Sequence, residues 1–151
     1  MPPSPIFPPR APTTYATVSL RHTVNLADFT NSTTILLASV PVDAFITSVG
    51  CEIVTAFNAA TTNVLTLGTS QASANELQPT AQITAGTPAY YPATAGASFG
   101  RQNTQTAQAL INNVDVCQGG VGIWAKYTQS GTAASTGKAI FHISYLAADN
   151  T

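Results

Sequence analysis

The sequence predicts an all-β protein in which antiparallel strands form a β-sandwich, with a jelly roll as the expected topology. Three observations indicate this fold class. Several segments alternate apolar and polar residues, turn-forming Gly, Pro and Asn residues separate these segments, and no segment repeats apolar residues with the helical period. A chain of 151 residues is long enough to bury one core, so residues 14–151 are expected to form a single domain.

Residues 1–13 are expected to precede that domain as an extended arm. This segment, MPPSPIFPPRAPT, holds six of the ten prolines of the chain. Because proline fixes φ and lacks an amide hydrogen, the composition excludes a helix or a sheet interior and favours polyproline-like backbone. Two interpretations stay open: a disordered tail, or a stiff arm that lies on a neighbouring subunit with Ile6 and Phe7 as apolar anchors.

A first strand is predicted at residues 15–26. The residues of its apolar face are Val18, Leu20, His22, Val24 and Leu26. A histidine in this position is more typical of a hydrogen-bonded core or edge residue than of a catalyst, because no acid or nucleophile accompanies it in a motif. After a polar loop, residues 35–40 are expected to form a short apolar strand, which ends at a turn over residues 41–43.

The most regular stretch of the chain is a predicted hairpin at residues 45–68. Its long strand, residues 45–57, is rich in Val, Ile, Thr and Phe, and a polar turn separates it from a strand that begins near Val64. The face expected to meet the core holds Thr47, Val49, Cys51, Ile53, Thr55 and Phe57. Glu52 lies on the opposite face, with Ile46, Ser48, Gly50, Val54 and Ala56.

The middle of the chain is less regular. One helical turn is expected at residues 72–77, with Ser70 or Ser73 as its cap, and short strands are expected at residues 81–85 and 97–99. Residues 88–92, Pro-Ala-Tyr-Tyr-Pro, are predicted to form an exposed aromatic loop. This loop would serve either as a lid over the edge of the sandwich or as a contact with a partner.

Strand patterns return towards the end of the sequence. A strand is predicted at residues 107–111, followed by a hairpin whose strands, residues 114–118 and 121–127, are joined by two glycines. This register places Val116 opposite Ile123, and it places Cys117, Trp124 and Lys126 on the polar face. An indole on that face requires cover from a loop or from a second subunit.

The last predicted strand, residues 137–146, has two partly apolar faces, which favours an inner position in a sheet. One face carries Ala139, Phe141, Ile143 and Tyr145, and the other carries Lys138, Ile140, His142, Ser144 and Leu146. Residues 147–151 are expected to fray.

Charged residues make up only 7% of the chain, against about 25% in an ordinary domain. Such a surface does little to repel neighbours and suits a protein packed against others, although a compositional habit of the source genome would explain it equally well. The five Lys and Arg residues are scattered, so nucleic acid is not an expected partner. No apolar run is long enough to span a membrane, and no signal peptide is expected.

No catalytic, metal-binding or cofactor-binding residues are predicted. Cys51 and Cys117 lack a CxxC spacing and are expected to be free thiols, with a disulfide between them as the alternative. The two cysteines with His22 and His142 do not have a recognisable metal-ligand spacing. Because nucleophile, zinc and phosphate-loop motifs are missing and the six acids are spread out, an enzyme is not expected.

Two stretches carry a resemblance to a known group of proteins. They read ITSVGCEIVTAFNAATTNVLTLGT and GIWAKYTQSGTAASTGKAIFHISYL, and they fall within residues 45–69 and 121–146. This pattern resembles small β-sandwich virion proteins of tailed bacteriophages, of the head decoration or cement type. The shared features are sandwich strands and an AFN-type turn, so the resemblance supplies no catalytic or ligand residues.

The resemblance implies a structural protein that is made in the host cytoplasm, binds the major capsid protein at the capsid surface and stabilises the head. It also implies a homo-oligomer, with a trimer favoured. The expected contact residues are Ile6, Phe7, Arg10, Tyr90, Tyr91 and Trp124. Two alternatives stay open: a tail or head-tail structural component, and a carbohydrate-binding or receptor-binding sandwich that uses Tyr90, Tyr91 and Trp124 in a shallow groove.

Overall fold

The computed structural model describes residues 15–29, 33–41, 44–69, 71–72, 74–93 and 121–148. Seven β-strands and one 3₁₀ helix make up the regular structure of these residues. In chain order they are β1 (Tyr15–Asn25), the 3₁₀ helix (Leu26–Phe29), β2 (Thr34–Val40), β3 (Phe45–Thr55), β4 (Thr62–Gly68), β5 (Ala89–Pro92), β6 (Val121–Ser130) and β7 (Lys138–Ala148). None of the helices in the described ranges is long and apolar enough to cross a membrane.

Successive strands alternate between two antiparallel sheets. The four-stranded sheet has the order β1-β7-β3-β5, and the three-stranded sheet has the order β2-β6-β4. Among the described residues, only the isolated bridges of Leu67 with Gln78 and of Val64 with Thr84 continue the three-stranded sheet beyond β4. This order is that of a jelly roll whose eighth strand is reduced to two bridges, so the predicted fold class is confirmed.

The expected alternation holds for β1, β6 and β7. The buried residues on the core faces of these strands are Val24, Ile123, Ala125, Tyr127, Ala139, Phe141, Ile143 and Tyr145, and Ile140 on the other face of β7 is buried as well. Val18 and Leu20 pack against the same core. β7 pairs with β1 on one side and with β3 on the other, which confirms its inner position. Its pairing continues to Ala148, so the expected fraying is wrong at residues 147–148, whereas residues 149–151 lie outside the described residues.

The core face of β3 departs from strict alternation. Its central positions are buried as expected: Val49, Cys51 and Ile53. However, the pairing with β7 shifts between Ile46 and Ser48 and again between Ile53 and Thr55. Each shift inserts an extra residue, so the faces change there. Ile46 is therefore fully buried and Thr47 and Thr55 are exposed, which corrects the prediction at both ends of the strand.

An aromatic cluster closes one end of the core. The ring of Tyr127 lies 4.7 Å from that of Phe57 and 5.6 Å from that of Phe29, measured between centroids. Phe29 reaches the cluster because the 3₁₀ helix turns the chain at the end of β1, where the Asn25 amide donates to Asp28 Oδ2 over 2.7 Å. Gly137 packs against the Phe57 ring without room for a β-carbon.

Three expectations for the middle of the chain are wrong. Residues 71–72 and 74–77 contain a turn and a bend rather than a helical turn, and residues 81–85 contribute one bridge rather than a strand. A tertiary contact competes with the helix, because Glu76 Oε2 accepts the amide of Thr69 over 3.1 Å and holds the segment against β4. The predicted aromatic loop is the edge strand β5, which tolerates Pro92 because an edge needs fewer amide donors.

Several predictions fall outside the described residues. These are the arm at residues 1–13, the helix caps Ser70 and Ser73, the strands at residues 97–99, 107–111 and 114–118, and Cys117. The single-domain boundary at residue 14 likewise stays a prediction.

Candidate contact surfaces

The six residues expected to contact partners lie on separate parts of the molecule. Ile6, Phe7 and Arg10 are outside the described residues. Tyr90 and Tyr91 belong to β5 of the four-stranded sheet, whereas Trp124 belongs to β6 of the three-stranded sheet. Because the sheets face each other across the core, a single groove cannot be lined by all three aromatic side chains. Their role in partner contact stays a prediction.

Tyr91 faces the interior and positions β5. It pairs with the buried Cys51, and its half-buried ring packs against the core. Its hydroxyl donates to the carbonyl oxygen of Thr87 over 2.9 Å, and its own carbonyl accepts the Gln78 Nε2 group over 2.8 Å. Gln78 is fully buried, so the edge strand is fixed to the loop beneath it from inside the sandwich.

Tyr90 faces outwards and forms the centre of the Tyr90 surface, which we define as Gly50, Glu52, Tyr90 and His142. The Tyr90 side chain is 55% exposed. Its ring meets that of His142 edge to face, with 5.8 Å between centroids and an angle of 78°. Gly50 lies beneath the Tyr90 hydroxyl. The result is an exposed aromatic ring beside polar side chains.

Glu52 and His142 meet on this surface in a contact that becomes an ion pair when His142 is protonated, and no sequence pattern indicated it. Glu52 Oε2 lies 3.6 Å from His142 Nε2, and the two side chains are 42% and 38% exposed. At that exposure the pair contributes only about 0–1 kcal/mol to stability. The sequence places Glu52 opposite the predicted core face of its strand, but only the adjacency of β3 and β7 brings His142 next to it.

A second surface lies on the outside of the three-stranded sheet. We define the Trp124 surface as Leu36, Gly122 and Trp124. Leu36 pairs with Trp124 in the β2–β6 ladder and is 46% exposed. A β-carbon on Gly122 would meet the indole nitrogen and the Leu36 side chain, so these two apolar groups close over the glycine. The prediction that Trp124 faces outwards with Lys126 is confirmed, since Ile123 and Ala125 are buried.

A pocket of about 270 Å³ opens at the end of the sandwich beside the aromatic cluster. We call it the end pocket, and its lining residues are Leu26, Phe29, Tyr127, Gln129, Ala133 and Ala134. The rings of Phe29 and Tyr127 are buried and form its floor, whereas Gln129 and Ala133 are exposed at its rim. Two segments that are distant in the sequence, residues 26–29 and 127–134, build this pocket, which explains why no sequence pattern indicated it.

The polar groups of the end pocket are held in place. The Tyr127 hydroxyl donates to Asn63 Oδ1 over 2.7 Å, and burial raises the pKa of this hydroxyl above its ordinary value, so it stays a donor. Gln129 Oε1 accepts the amide of Ala134 over 2.8 Å. The Gln129 Nε2 group has no partner among the described residues and is available as a donor at the rim.

Cys51 is a free and buried thiol. Burial, with a smaller contribution from the negative charge of Glu52, raises the pKa of this thiol to about 12. A thiol that stays protonated is a poor nucleophile and a poor metal ligand. The described part of the chain also contains no group of three His, Cys, Asp or Glu side chains that could hold a metal ion. The expectation that the chain is not an enzyme stays a prediction.

Two solved structures have the same fold. A chain of the capsid asymmetric unit of cyanophage Pam1 aligns with a TM-score of 0.60 and 20% identity, over 97% of this chain and 99% of that one. A chain of the acid-stable capsid of Helicobacter pylori bacteriophage KHP30 aligns with a TM-score of 0.54 and 12% identity, over 89% of this chain and 94% of that one. The sequence matches no protein-family model and no curated protein.

Proposed function

We propose that this protein is a structural component of a phage virion that binds capsid subunits and stabilises the head as a decoration, or cement, protein. The observation that carries the proposal is the end-to-end match with a chain of a phage capsid asymmetric unit. A second match of nearly full length, again to a chain from a phage capsid, supports it. The low fraction of charged residues is compatible with a surface that packs against other subunits.

The placement of the candidate surfaces suits a protein that links several neighbours. The Tyr90 surface and the Trp124 surface lie on opposite outer faces of the sandwich, and the end pocket lies at one end. One copy can therefore contact capsid subunits and other copies at the same time. A standard interface buries about 1,600 Å², and many repeated copies make modest individual contacts sufficient. A trimer that spans a junction between major capsid proteins fits this requirement.

Binding to heads assembled without this protein tests the proposal. The purified full chain is mixed with such heads from the phage that encodes it, and bound chain is measured by co-sedimentation. We expect saturable binding at a fixed number of copies per head. Absence of binding to heads overturns the proposal, and binding to tails alone selects the alternative of a tail or head-tail component.

A charge placed on the Trp124 surface refines the test. Leu36→Lys introduces an ammonium group into an apolar contact and should weaken binding by about tenfold or more. Thr128→Lys is the matched control, because it adds the same charge at an exposed position of β6 in the same sheet. Equal binding by both variants would remove the Trp124 surface from the capsid interface.

A carbohydrate-binding or receptor-binding module is the second candidate, and the Tyr90 surface is the observation that favours it. An exposed ring next to a carboxylate and an imidazole offers both a stacking face and hydrogen-bonding groups to a sugar. A glycan array tests this candidate. Binding to a glycan that Tyr90→Ala abolishes would support it, and an array without signals would remove it.

A further inference from the structure

We propose that the end pocket receives Ile6 and Phe7 from the Pro-rich segment of a neighbouring copy of this chain. This inference rests on the proposed function only in that the copies assemble side by side. It assigns an occupant to a pocket that is formed by residues far apart in the sequence. It also gives the two apolar residues of the Pro-rich segment a specific place to bind.

The shape and lining of the end pocket suit apolar side chains. Its floor consists of the Phe29 and Tyr127 rings, whose centroids are 5.6 Å apart, and Leu26 and two alanines complete the wall. Its volume, about 270 Å³, lies just below the range of about 300–1,000 Å³ that is typical of small-molecule sites. The pocket is therefore matched to one or two side chains of a peptide segment.

The rim of the pocket supplies what a Pro-rich backbone needs. Polyproline-like backbone makes no internal hydrogen bonds, so its carbonyl oxygens need donors from elsewhere. The Gln129 Nε2 group is an exposed donor beside the aromatic floor, and its orientation is fixed because Gln129 Oε1 accepts the Ala134 amide. Aromatic walls combined with a polar donor are the usual means of recognising Pro-rich segments.

Chain length decides which copy supplies the segment. The pocket lies where β1 ends, since Leu26 follows β1 directly and lines it. The 11 residues of β1 extend about 33–36 Å at roughly 3.3 Å per residue. Phe7 precedes Tyr15 by eight residues, which span about 25 Å as polyproline and at most about 28 Å fully extended.

A copy's own Phe7 therefore falls short of its own end pocket, even before the chain reverses direction at the start of β1. The reach to a neighbouring copy carries no such limit. An arm that enters the pocket of the next copy makes a head-to-tail contact, which forms a closed ring when the rotation between copies closes. A trimer is one such ring.

Cross-linking between two differently tagged chains tests the proposal. One full-length chain carries Pro8→Cys, next to the two apolar anchors, and the other carries Ala133→Cys, both with Cys117→Ser, and they are co-expressed and oxidised. The buried Cys51 does not compete. We expect a disulfide-linked species that carries both tags. The matched control replaces Ala133→Cys by Thr17→Cys, an exposed position at the opposite end of β1, and should give at least tenfold less product.

Two outcomes overturn the inference: equal cross-linking in test and control, or no disulfide-linked product that carries both tags. A second measurement, the association constant of the oligomer, does not depend on the cysteine variants and so applies even if those variants fold poorly. Phe7→Ala and Ala133→Trp should each lower the association constant of the oligomer by about tenfold, and the double variant should lower it no further. If the losses in association constant added up in the double variant, the two residues would not share a contact. The same conclusion would follow if a lowered melting temperature of the variants explained the losses.

Head binding is scored separately by co-sedimentation. Cross-linking in solution without binding to heads would leave this inference in place and overturn the proposed function. Binding to heads without cross-linking, in solution or on the head, would leave the proposed function in place and overturn this inference.

Discussion

The hydroxyl group of Tyr90 lies over the backbone of Gly50, so closely that a β-carbon at position 50 would collide with the phenol ring. Gly50 is buried for this reason, although it lies on an outer face. A similar relationship exists in the core, where Gly137 leaves room for the Phe57 ring. The two sites differ in the ring that lies next to the glycine. The exposed Tyr90 ring beside Gly50 can move into solvent, whereas the enclosed Phe57 ring beside Gly137 cannot.

The two glycines should therefore respond differently to the same substitution. Gly137→Ala should lower the free energy of unfolding by about 1–3 kcal/mol, because the added methyl group overpacks the core. Gly50→Ala should lower it by less than about 1 kcal/mol, since Tyr90 moves aside. Urea unfolding of both variants measures the difference. Equal losses would mean that Tyr90 is held as firmly as Phe57.

The corrected register of β3 makes a second prediction. Ile46→Ala should lower the free energy of unfolding by about 2–5 kcal/mol, because it removes a fully buried side chain. Thr47→Ala, at the neighbouring exposed position, should change it by less than about 1 kcal/mol. Thermal or urea unfolding distinguishes the two variants. If Thr47→Ala proved the more destabilising, the strict alternation expected from the sequence would hold instead.

Alternation holds in strands that carry no inserted residue and fails in a strand that carries one. β1 and β7 stay in register along their whole length, so the faces of both strands follow from hydrophobic period alone. In β3 the register shift next to Ile46 depends on the partner strand and leaves no mark in the sequence. β5 was missed because four residues next to a proline resemble a loop until β3 provides a partner.

The candidate surfaces show the same division. Trp124 was assigned correctly to the outer face, because its neighbours Ile123 and Ala125 set the pattern. Two other features depend on which strands and loops become neighbours. They are the contact of Glu52 with His142 and the end pocket. That information belongs to the topology, which local sequence patterns do not encode.

The buried thiol of Cys51 should make the free energy of unfolding fall at alkaline pH. Its pKa is raised to about 12 in the folded protein from 9.0, so the folded state keeps a proton that the unfolded state loses between these values. Stability from the neutral thiol is fully present below about pH 9 and is lost as the pH rises towards 12, with a slope of up to about 1.4 kcal/mol per pH unit.

The measurement is the free energy of unfolding at several pH values from 8 to 11, for the Cys117→Ser chain with and without Cys51→Ala. The slope should be smaller in the chain that lacks Cys51. Tyr127 contributes in the same direction in both chains, because burial also raises its pKa. Identical slopes would show that Cys51 titrates normally and is not enclosed by the sheets.

The Tyr90 surface should contribute little to folding stability. His142→Gln and Glu52→Gln should each change the free energy of unfolding by no more than about 1 kcal/mol, because the pair is exposed to water. Urea unfolding at low and high salt checks this expectation. A loss above about 2 kcal/mol in either variant would assign the pair a structural role and weaken the case for a contact surface.

The temperature at which heads release their DNA tests the central claim most directly. Heads assembled without this protein are heated alone, with the purified chain, and with the Leu36→Lys chain, and DNA release is followed with an intercalating dye. The account predicts that the chain raises the release temperature and that the Leu36→Lys chain raises it less. An unchanged release temperature, with the chain demonstrably bound, would contradict a role in stabilising the head.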